Sequence, residues 1–146
     1  MKKLLLLSLL VLSCSSAKVK SKETEKTPNL VVIMTDDMGW ADVGFNGCKD
    51  IPTPNIDVIA NEGVRFDEGY VSFPVCGPSR AGFLTGRYQD RFGFTTNPSI
   101  DPNNPIAGLP VKEETMAQVL SKVNYNNAII GKWHMGTHDV FHPLER

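Results

Sequence analysis

Residues 30–37 read Leu-Val-Val-Ile-Met-Thr-Asp-Asp, an uninterrupted apolar run that ends in two acids. A run without polar alternation is typical of a strand buried on both faces, as in a parallel sheet. Open α/β sheets bind their ligands beyond the carboxyl ends of such strands, which is where Asp36 and Asp37 stand. Because adjacent carboxylates repel each other, the pair indicates a hard cation, calcium or magnesium; the alternative is a solvated turn.

A second apolar strand is predicted over 128–130, and it too ends in polar residues. It runs into Gly-Lys-Trp-His-Met-Gly at 131–136. Alternation along an extended chain sends Lys132 and His134 to the same side. The ends of both apolar strands therefore carry residues capable of chemistry.

Helices and a further strand are predicted between these two runs. After a turn at 52–55, apolar residues at helical spacing predict helices over about 56–62 and 115–123, and partial alternation predicts a strand over 64–71. A proline-rich stretch, 97–110, is predicted to be a loop. The order of elements indicates an α/β layered fold with a mostly parallel sheet.

The stretch Cys76-Gly77-Pro78-Ser79-Arg80 reads as the start of a further helix. Proline fits the first helical turn, where its missing N–H costs nothing. Such a helix places the Cys76 thiol at its N-terminus, where free N–H groups favour an anion, with Arg80 about one turn away. A thiol there is an activated nucleophile or the precursor of another group; a buried, inert cysteine is the alternative.

The first residues read as a targeting segment. Two lysines precede a short apolar run over 4–12, which is too short to span a bilayer and is typical of a secretory signal over 1–13. The run ends in Leu-Ser-Cys, which resembles a bacterial lipoprotein cleavage box and makes Cys14 the lipidated residue. We expect an exported protein at the periplasm or cell surface, anchored in the membrane by lipid, with 14–28 as a flexible tether. Simple secretion is the alternative.

Composition and cysteine count narrow the function classes. The chain has 146 residues, 21% of them charged, and a formal net charge of −1, which indicates one soluble domain and no nucleic-acid partner. Three cysteines occur, at 14, 48 and 76. In an oxidising compartment a Cys48–Cys76 disulfide is a competing interpretation of the thiol at 76.

The acid pair and the thiol are accompanied by three groups that can carry positive charge, Arg80, Lys132 and His134. Together they indicate an anion-binding site around a nucleophile. A tetrahedral oxyanion ester, sulfate or phosphate, is the substrate class that fits. Only three residues separate Cys76 from Arg80, one of them proline, which fits the phosphate loop of cysteine phosphatases poorly. Around Ser79 the glycine pair of a serine nucleophile elbow is incomplete, because Ala81 stands where the second glycine would be.

Three motifs resemble those of the type I, formylglycine-dependent sulfatases. Cys76 to Arg80, followed by Leu-Thr-Gly-Arg at 84–87, is similar to the family signature. Residues 29–37 resemble the family's first strand and metal-binding Asp-Asp pair. Residues 131–136 resemble the family's Gly-Lys-Trp-His-Leu-Gly motif, with methionine in place of leucine.

The resemblance implies an alkaline-phosphatase-like αβα sandwich and a calcium-dependent sulfuric ester hydrolase, with magnesium the less favoured metal. A separate formylglycine-generating maturation enzyme would oxidise Cys76 to formylglycine, whose hydrate attacks sulfur. Asp36, Asp37 and the modified Cys76 would bind the metal. Arg80 would hold the hydrate, while Lys132 and His134 would bind the sulfate oxygens.

Residues 29–146 are interpreted as the N-terminal part of such a catalytic domain, inactive as a fragment because the remaining ligands would lie beyond it. The expected substrate is a sulfated polysaccharide or another sulfate ester. Two alternatives stay open. One is a phosphatase or phosphonate monoester hydrolase of the same superfamily, and the other is a non-catalytic surface lipoprotein that binds sulfated glycans.

Overall fold

The computed structural model describes residues 27–146. The chain divides into two units, Met1–Met34 and Thr35–Arg146. The predicted signal peptide over 1–13, the lipidation site Cys14 and most of the predicted tether lie outside the described residues. These assignments stay predictions.

In the first unit, the described residues 27–34 have no regular secondary structure and form no strand. The side chain of Val31 is 81% exposed and that of Ile33 is 78% exposed, so the expected burial on both faces is not found. An apolar run favours an extended backbone, but a strand exists only when its N–H and C=O groups pair with a neighbouring chain. The prediction of a buried strand over 30–34 is therefore wrong for the structure described.

The second unit, Thr35–Arg146, likewise contains helices and loops but no strand. Residues 128–130 have no regular secondary structure, and Ile130 is 99% exposed. Residues 64–71 are interrupted by a turn at 67–68, and Phe66 is 82% exposed. Within residues 27–146 the predicted parallel sheet is thus not confirmed, because none of these apolar stretches pairs with a neighbouring strand.

Within residues 27–146 three α-helices form, and each overlaps a predicted one. They are α1 (Pro54–Glu62), α2 (Cys76–Thr85) and α3 (Met116–Ser121). Helix α1 begins two residues earlier than expected, since Pro54 takes the first helical position rather than a place in the preceding turn. Short 3-10 helices lie between them at Trp40–Asp42, Gly44–Asn46, Gln89–Phe92, Asp139–Phe141 and Pro143–Glu145.

Local signals explain the ends of α2 and α3. Gly86 adopts a left-handed conformation with φ of 63° and ends α2, as glycine does at helix C-termini. Thr115 caps α3 by accepting a hydrogen bond from the backbone N–H of Gln118, which in turn caps the N–H of Thr115. None of these described helices has the length and apolar character needed to cross a membrane.

The core of the second unit fastens α2 to the loop that carries Lys132 and His134. Ala81 of α2 packs with Phe94, Leu109 and Met135, all buried. The partly buried side chains around this cluster are Leu84, Phe92 and Trp133. Because Met135 belongs to the 131–136 loop, burial of its side chain fixes that loop against the helix.

Candidate active site

Helix α2 presents Cys76 and Arg80 from its first two turns. Val75 precedes the helix in an extended conformation, and Pro78 is buried in the first turn. The guanidinium of Arg80, whose side chain is only 12% exposed, donates from Nη1 to the carbonyl oxygen of Lys132 at 2.8 Å. Its Nη2 lies 3.7 Å from Oδ1 of Asp36. Arg80 therefore joins α2 to two segments distant in the sequence.

Asp36 and Lys132 form the second connection in this cluster. Lys132 Nζ donates to Asp36 Oδ2 at 2.6 Å across 96 positions of sequence. The hydrogen bond from Lys132 holds the pKa of Asp36 below its ordinary value, and the positive charge of Arg80 acts in the same direction. The same bond raises the pKa of Lys132, and the nearby Cys76 side chain contributes to that increase. Electrostatic interactions therefore connect Asp36 with Arg80 and Lys132, and Lys132 with Cys76.

His134 also interacts electrostatically with this cluster, and it lies in an irregular loop rather than at the end of a strand. Its backbone φ is +64°, and its Nδ1 is buried with no hydrogen-bond partner among residues 27–146. Burial lowers the pKa of His134, and the positive charges of Lys132 and Arg80 lower it further. The imidazole is therefore neutral at pH 7 and retains an unsatisfied ring nitrogen.

Contacts within the 131–136 loop explain how it holds Lys132 and His134 in place. Trp133 Nε1 donates to the carbonyl oxygen of Phe141 at 2.7 Å, and the carbonyl oxygen of Met135 accepts from the N–H of Leu109 at 2.8 Å. Contacts of Trp133 and Met135 thus hold the loop against the rest of the unit at alternate positions. The intervening residues, Lys132 and His134, remain available to the candidate site.

Asp37 is exposed and has φ of +52°. Only three non-glycine residues in the described 27–146 range have positive φ, and two of them, Asp37 and His134, belong to the predicted site. Backbones in this sparsely populated region persist only where the surrounding structure requires them, and they concentrate at functional sites.

The residues present do not complete a calcium site. Asp36 and Asp37 supply the hard oxygens that calcium prefers, but calcium takes about 6–8 oxygen ligands. Within residues 27–146 no group of three or more His, Cys, Asp or Glu side chains is arranged to hold a metal ion. Asp36 is neutralised by Lys132 and Arg80 instead.

Cys76 has a partner that the sequence did not indicate. Its Sγ donates to Oδ1 of Asn97 at 3.5 Å, and the same oxygen accepts from the backbone N–H of Gly77 at 2.9 Å. Cys48 and Cys76 are both free thiols, so the competing disulfide is not formed. No pattern distinguishes Asn97 from other asparagines in its loop, because its contacts depend on how the loop folds back onto α2.

Two surface concavities lie away from this cluster. One, of about 630 Å³, is lined by residues of α3 and the last turns, including Gln118, His142 and Arg146. Another, of about 320 Å³, is apolar and lies against α1, with Trp40 and Ile59 in its wall. Neither includes the Asp36, Arg80 and Lys132 cluster, whose acidic and lysine side chains are 40% exposed and open to solvent. His138 and His142 also lie outside the cluster, where each caps the N-terminus of a 3-10 helix.

The geometry suits recognition of a small anion. The guanidinium of Arg80, the ammonium of Lys132 and the imidazole of His134 interact electrostatically. Lys132 also interacts with the side chain at position 76, which stands at the N-terminus of a ten-residue helix. Donors aimed at one region stabilise negative charge that develops there.

Known proteins share this sequence and structure. The family model named Sulfatase matches residues 28–143. The chain is 42% identical over 141 residues to the mouse protein named N-acetylgalactosamine-6-sulfatase, covering 93% of this chain and 27% of that protein. It is 42% identical over 130 residues to human arylsulfatase G, covering 89% of this chain and 23% of the relative.

Solved structures agree with the sequence comparison. The structure of Ps i-CgsB matches with a TM-score of 0.69 and 44% identity, over 75% of this chain and 24% of that one. The same protein in complex with k-i-k-neocarrahexaose matches equally well, over 76% of this chain. The chain spans about a quarter of the length of these relatives. By its sequence, its fold and the placement of its three motifs, the chain belongs to the sulfatase family.

Proposed function

We propose that this chain carries the nucleophile-bearing part of a sulfuric ester hydrolase, with residue 76 as the nucleophile after oxidation of its cysteine to formylglycine. The observation that supports it most is the convergence of Arg80 and Lys132 on Asp36 beside Cys76. These residues come from three separate motifs, and together they give a cationic site next to a helix N-terminus. Family membership supplies the reaction class.

The surroundings of Cys76 fit an aldehyde hydrate. The thiol is free and partly exposed, and Asn97 Oδ1 and the Lys132 side chain are polar neighbours for a hydroxyl. A formylglycine hydrate supplies one hydroxyl to attack sulfur and a second to release the sulfate afterwards.

The chain's own residues have distinct roles in that reaction. Arg80, held by the Lys132 carbonyl and by Asp36, fixes the orientation of the group at position 76. Lys132 neutralises the sulfate oxygens as charge develops on them. Neutral His134 has a buried ring nitrogen without a partner, which suits a hydrogen bond to the ester.

A divalent cation would add to this site but enters no step here. Asp36 and Asp37 are the ligands that the described residues would contribute to a calcium ion, since carboxylate oxygens suit that metal. We expect the 146-residue chain alone to bind calcium weakly and to be inactive, because its ligand set is short.

The proposed substrate is the sulfate ester of a carbohydrate. Support comes from the relative named for an N-acetylgalactosamine 6-sulfate and from the neighbour solved with a neocarrahexaose. The proposed partners are accordingly a sulfated polysaccharide and a formylglycine-generating enzyme.

We further propose export and lipidation at Cys14. Cys14→Ser should release the protein from the membrane fraction, whereas Cys48→Ser should not.

Binding to the 146-residue chain tests the anion site. Titration with inorganic sulfate should give saturable NMR shifts at His134. Lys132→Met should abolish them, and Lys122→Met, which removes a lysine paired with Glu114, should leave them intact. Equal shifts in both variants would contradict the site.

Turnover is tested on the natural protein that contains this sequence, produced with a formylglycine-generating enzyme. We expect hydrolysis of 4-nitrophenyl sulfate in preference to 4-nitrophenyl phosphate, and complete loss in Cys76→Ala. A preference for the phosphate ester would favour the phosphatase alternative. Sulfate binding without turnover would favour the glycan-binding one.

A further inference from the structure

We propose that Asn97 is a positioning residue that fixes the side chain at position 76 and completes the N-terminus of α2. The inference deepens the proposed function and rests on it, because holding residue 76 matters to catalysis only if that residue is the nucleophile. It concerns a contact made 21 positions along the chain, from the loop that follows α2.

Helix α2 needs such a contact because it lacks a cap of its own. Its N-cap residue is Val75, which has no side-chain acceptor, and no side-chain capping bond is made there. The first N–H groups of a helix have no intrahelical partner and are usually satisfied by a nearby oxygen. Asn97 Oδ1 supplies that oxygen to Gly77 at 2.9 Å.

The same oxygen restricts Cys76. It accepts from Sγ at 3.5 Å while it holds the next residue's N–H, so the carboxamide bridges the backbone and the reactive side chain. Two bonds to one acceptor orient the Cys76 side chain relative to the helix axis. Arg80 and Lys132 can act on position 76 only if that orientation is kept.

Gly77 leaves the space that the contact requires. A Cβ at this position would lie 2.7 Å from Asn97 Oδ1 and 3.3 Å from Cδ of Pro98. Because the 2.7 Å distance is closer than real Cβ atoms approach, an alanine at position 77 would push the Asn97 carboxamide away. Glycine at 77 and asparagine at 97 therefore function as a pair.

The test measures the Cys76 side chain directly, in the unmodified 146-residue chain. In the parent, the Hα–Hβ couplings of Cys76 should report one rotamer, and the Gly77 amide should be protected from hydrogen exchange. Asn97→Ala should average the couplings and speed exchange at Gly77 about fivefold, the worth of one hydrogen bond. Asn97→Asp keeps an acceptor oxygen at a helix N-terminus and should preserve both signals.

Two further variants keep the proposal falsifiable. Gly77→Ala should reproduce the Asn97→Ala signals with the Asn97 side chain intact. Asn104→Ala removes an asparagine side chain of the same loop that accepts a hydrogen bond from the nearby Ile106 N–H, and it should change neither signal. A merely structural role would lower the melting temperature without moving the Cys76 couplings.

The proposal is overturned if Asn97→Ala retains a single Cys76 rotamer and a protected Gly77 amide, or if Asn97→Asp behaves like Asn97→Ala. Should Asn97→Ala fail to fold, Gly77→Ala and Asn97→Asp decide the matter by the same two signals. Neither signal depends on aldehyde formation or on hydrolysis. The Asn97 proposal can therefore fail while the sulfatase assignment stands, and the sulfatase assignment can fail while the Asn97 proposal stands.

Discussion

Lys132 and Asp36 are joined by a 2.6 Å hydrogen bond although 96 positions of sequence separate them. Arg80 binds both residues, one through its side chain and the other through its backbone carbonyl. The bond thus joins Asp36, two residues beyond the first apolar run, to the 131–136 loop. Since both side chains are 40% exposed, its effect is on charge and orientation more than on stability.

The first prediction concerns the pH range in which this ion pair contributes. Asp36 has a folded pKa below the ordinary 3.8, so its contribution is present above that value and is lost as pH falls through the folded pKa. Lys132 has a folded pKa above 10.5, so its contribution is present below that value and is lost as pH rises through the folded pKa. The difference in urea midpoint between the parent and Lys132→Met should therefore be level at neutral pH and shrink at both extremes. A constant difference at all pH values would contradict it.

The second prediction concerns His134. Its pKa lies below the ordinary 6.5, chiefly because of burial, so the folded chain loses stability as pH falls from that value through the folded pKa. Lys132→Met removes a nearby positive charge and should raise the His134 pKa, as followed by NMR titration of the imidazole. Lys112→Met is the control for a general change of charge. If both variants leave the His134 titration unmoved, the proposed proximity is wrong.

The third prediction concerns a buried carboxylate beside the core. Glu113 is 4% exposed, and its side chain is paired with Arg87. Arg87→Met removes this ion pair and leaves the carboxylate with the charge of Arg146 nearby, so it should lower the free energy of unfolding by about 1–3 kcal/mol. Lys122→Met breaks an exposed pair with Glu114 and should cost less than about 1 kcal/mol. Equal losses in urea denaturation would argue against burial as the cause.

The fourth prediction concerns the packing that supports the 131–136 loop. A Cβ on Gly108 would lie 2.4 Å from Cδ2 of Phe141, the residue whose carbonyl oxygen accepts from Trp133. Gly108→Ala should destabilise the protein by about 1–3 kcal/mol and weaken sulfate binding, since the loop must shift. Gly69→Ala, where the nearest atom lies 3.4 Å away, should have little effect on either. Unchanged sulfate affinity in Gly108→Ala would show that the loop does not depend on this packing.

Local signals were sufficient for the helices. Pro78 and Gly86 mark the first turn and the end of α2, and the structure places Cys76 at its start as predicted.

The prediction of a strand over the apolar run before Asp36 is wrong for a physical reason. Its composition favours extended backbone, but a strand also needs a partner, and residues 27–146 provide none.

The candidate site was predictable in its residue types but not in its contacts. The motifs around Asp36, Arg80 and Lys132 pointed to a shared anion site, and the structure brings these three together. The expected route, alternation at a strand end, is not the one observed, because His134 lies in a loop with positive φ. Asn97 could not be found at all, since only tertiary folding carries it to the start of α2.

The chemical state of residue 76 is the most direct measure of the central claim. The tryptic peptide spanning residues 66–80 should be analysed by mass spectrometry after the chain is produced with a formylglycine-generating enzyme, and again without it. We predict an aldehyde at position 76 that reacts with a hydrazide probe in the first sample, and an unmodified thiol in the second. An unmodified Cys76 in both samples would contradict the assignment of this residue as the precursor of the sulfatase nucleophile.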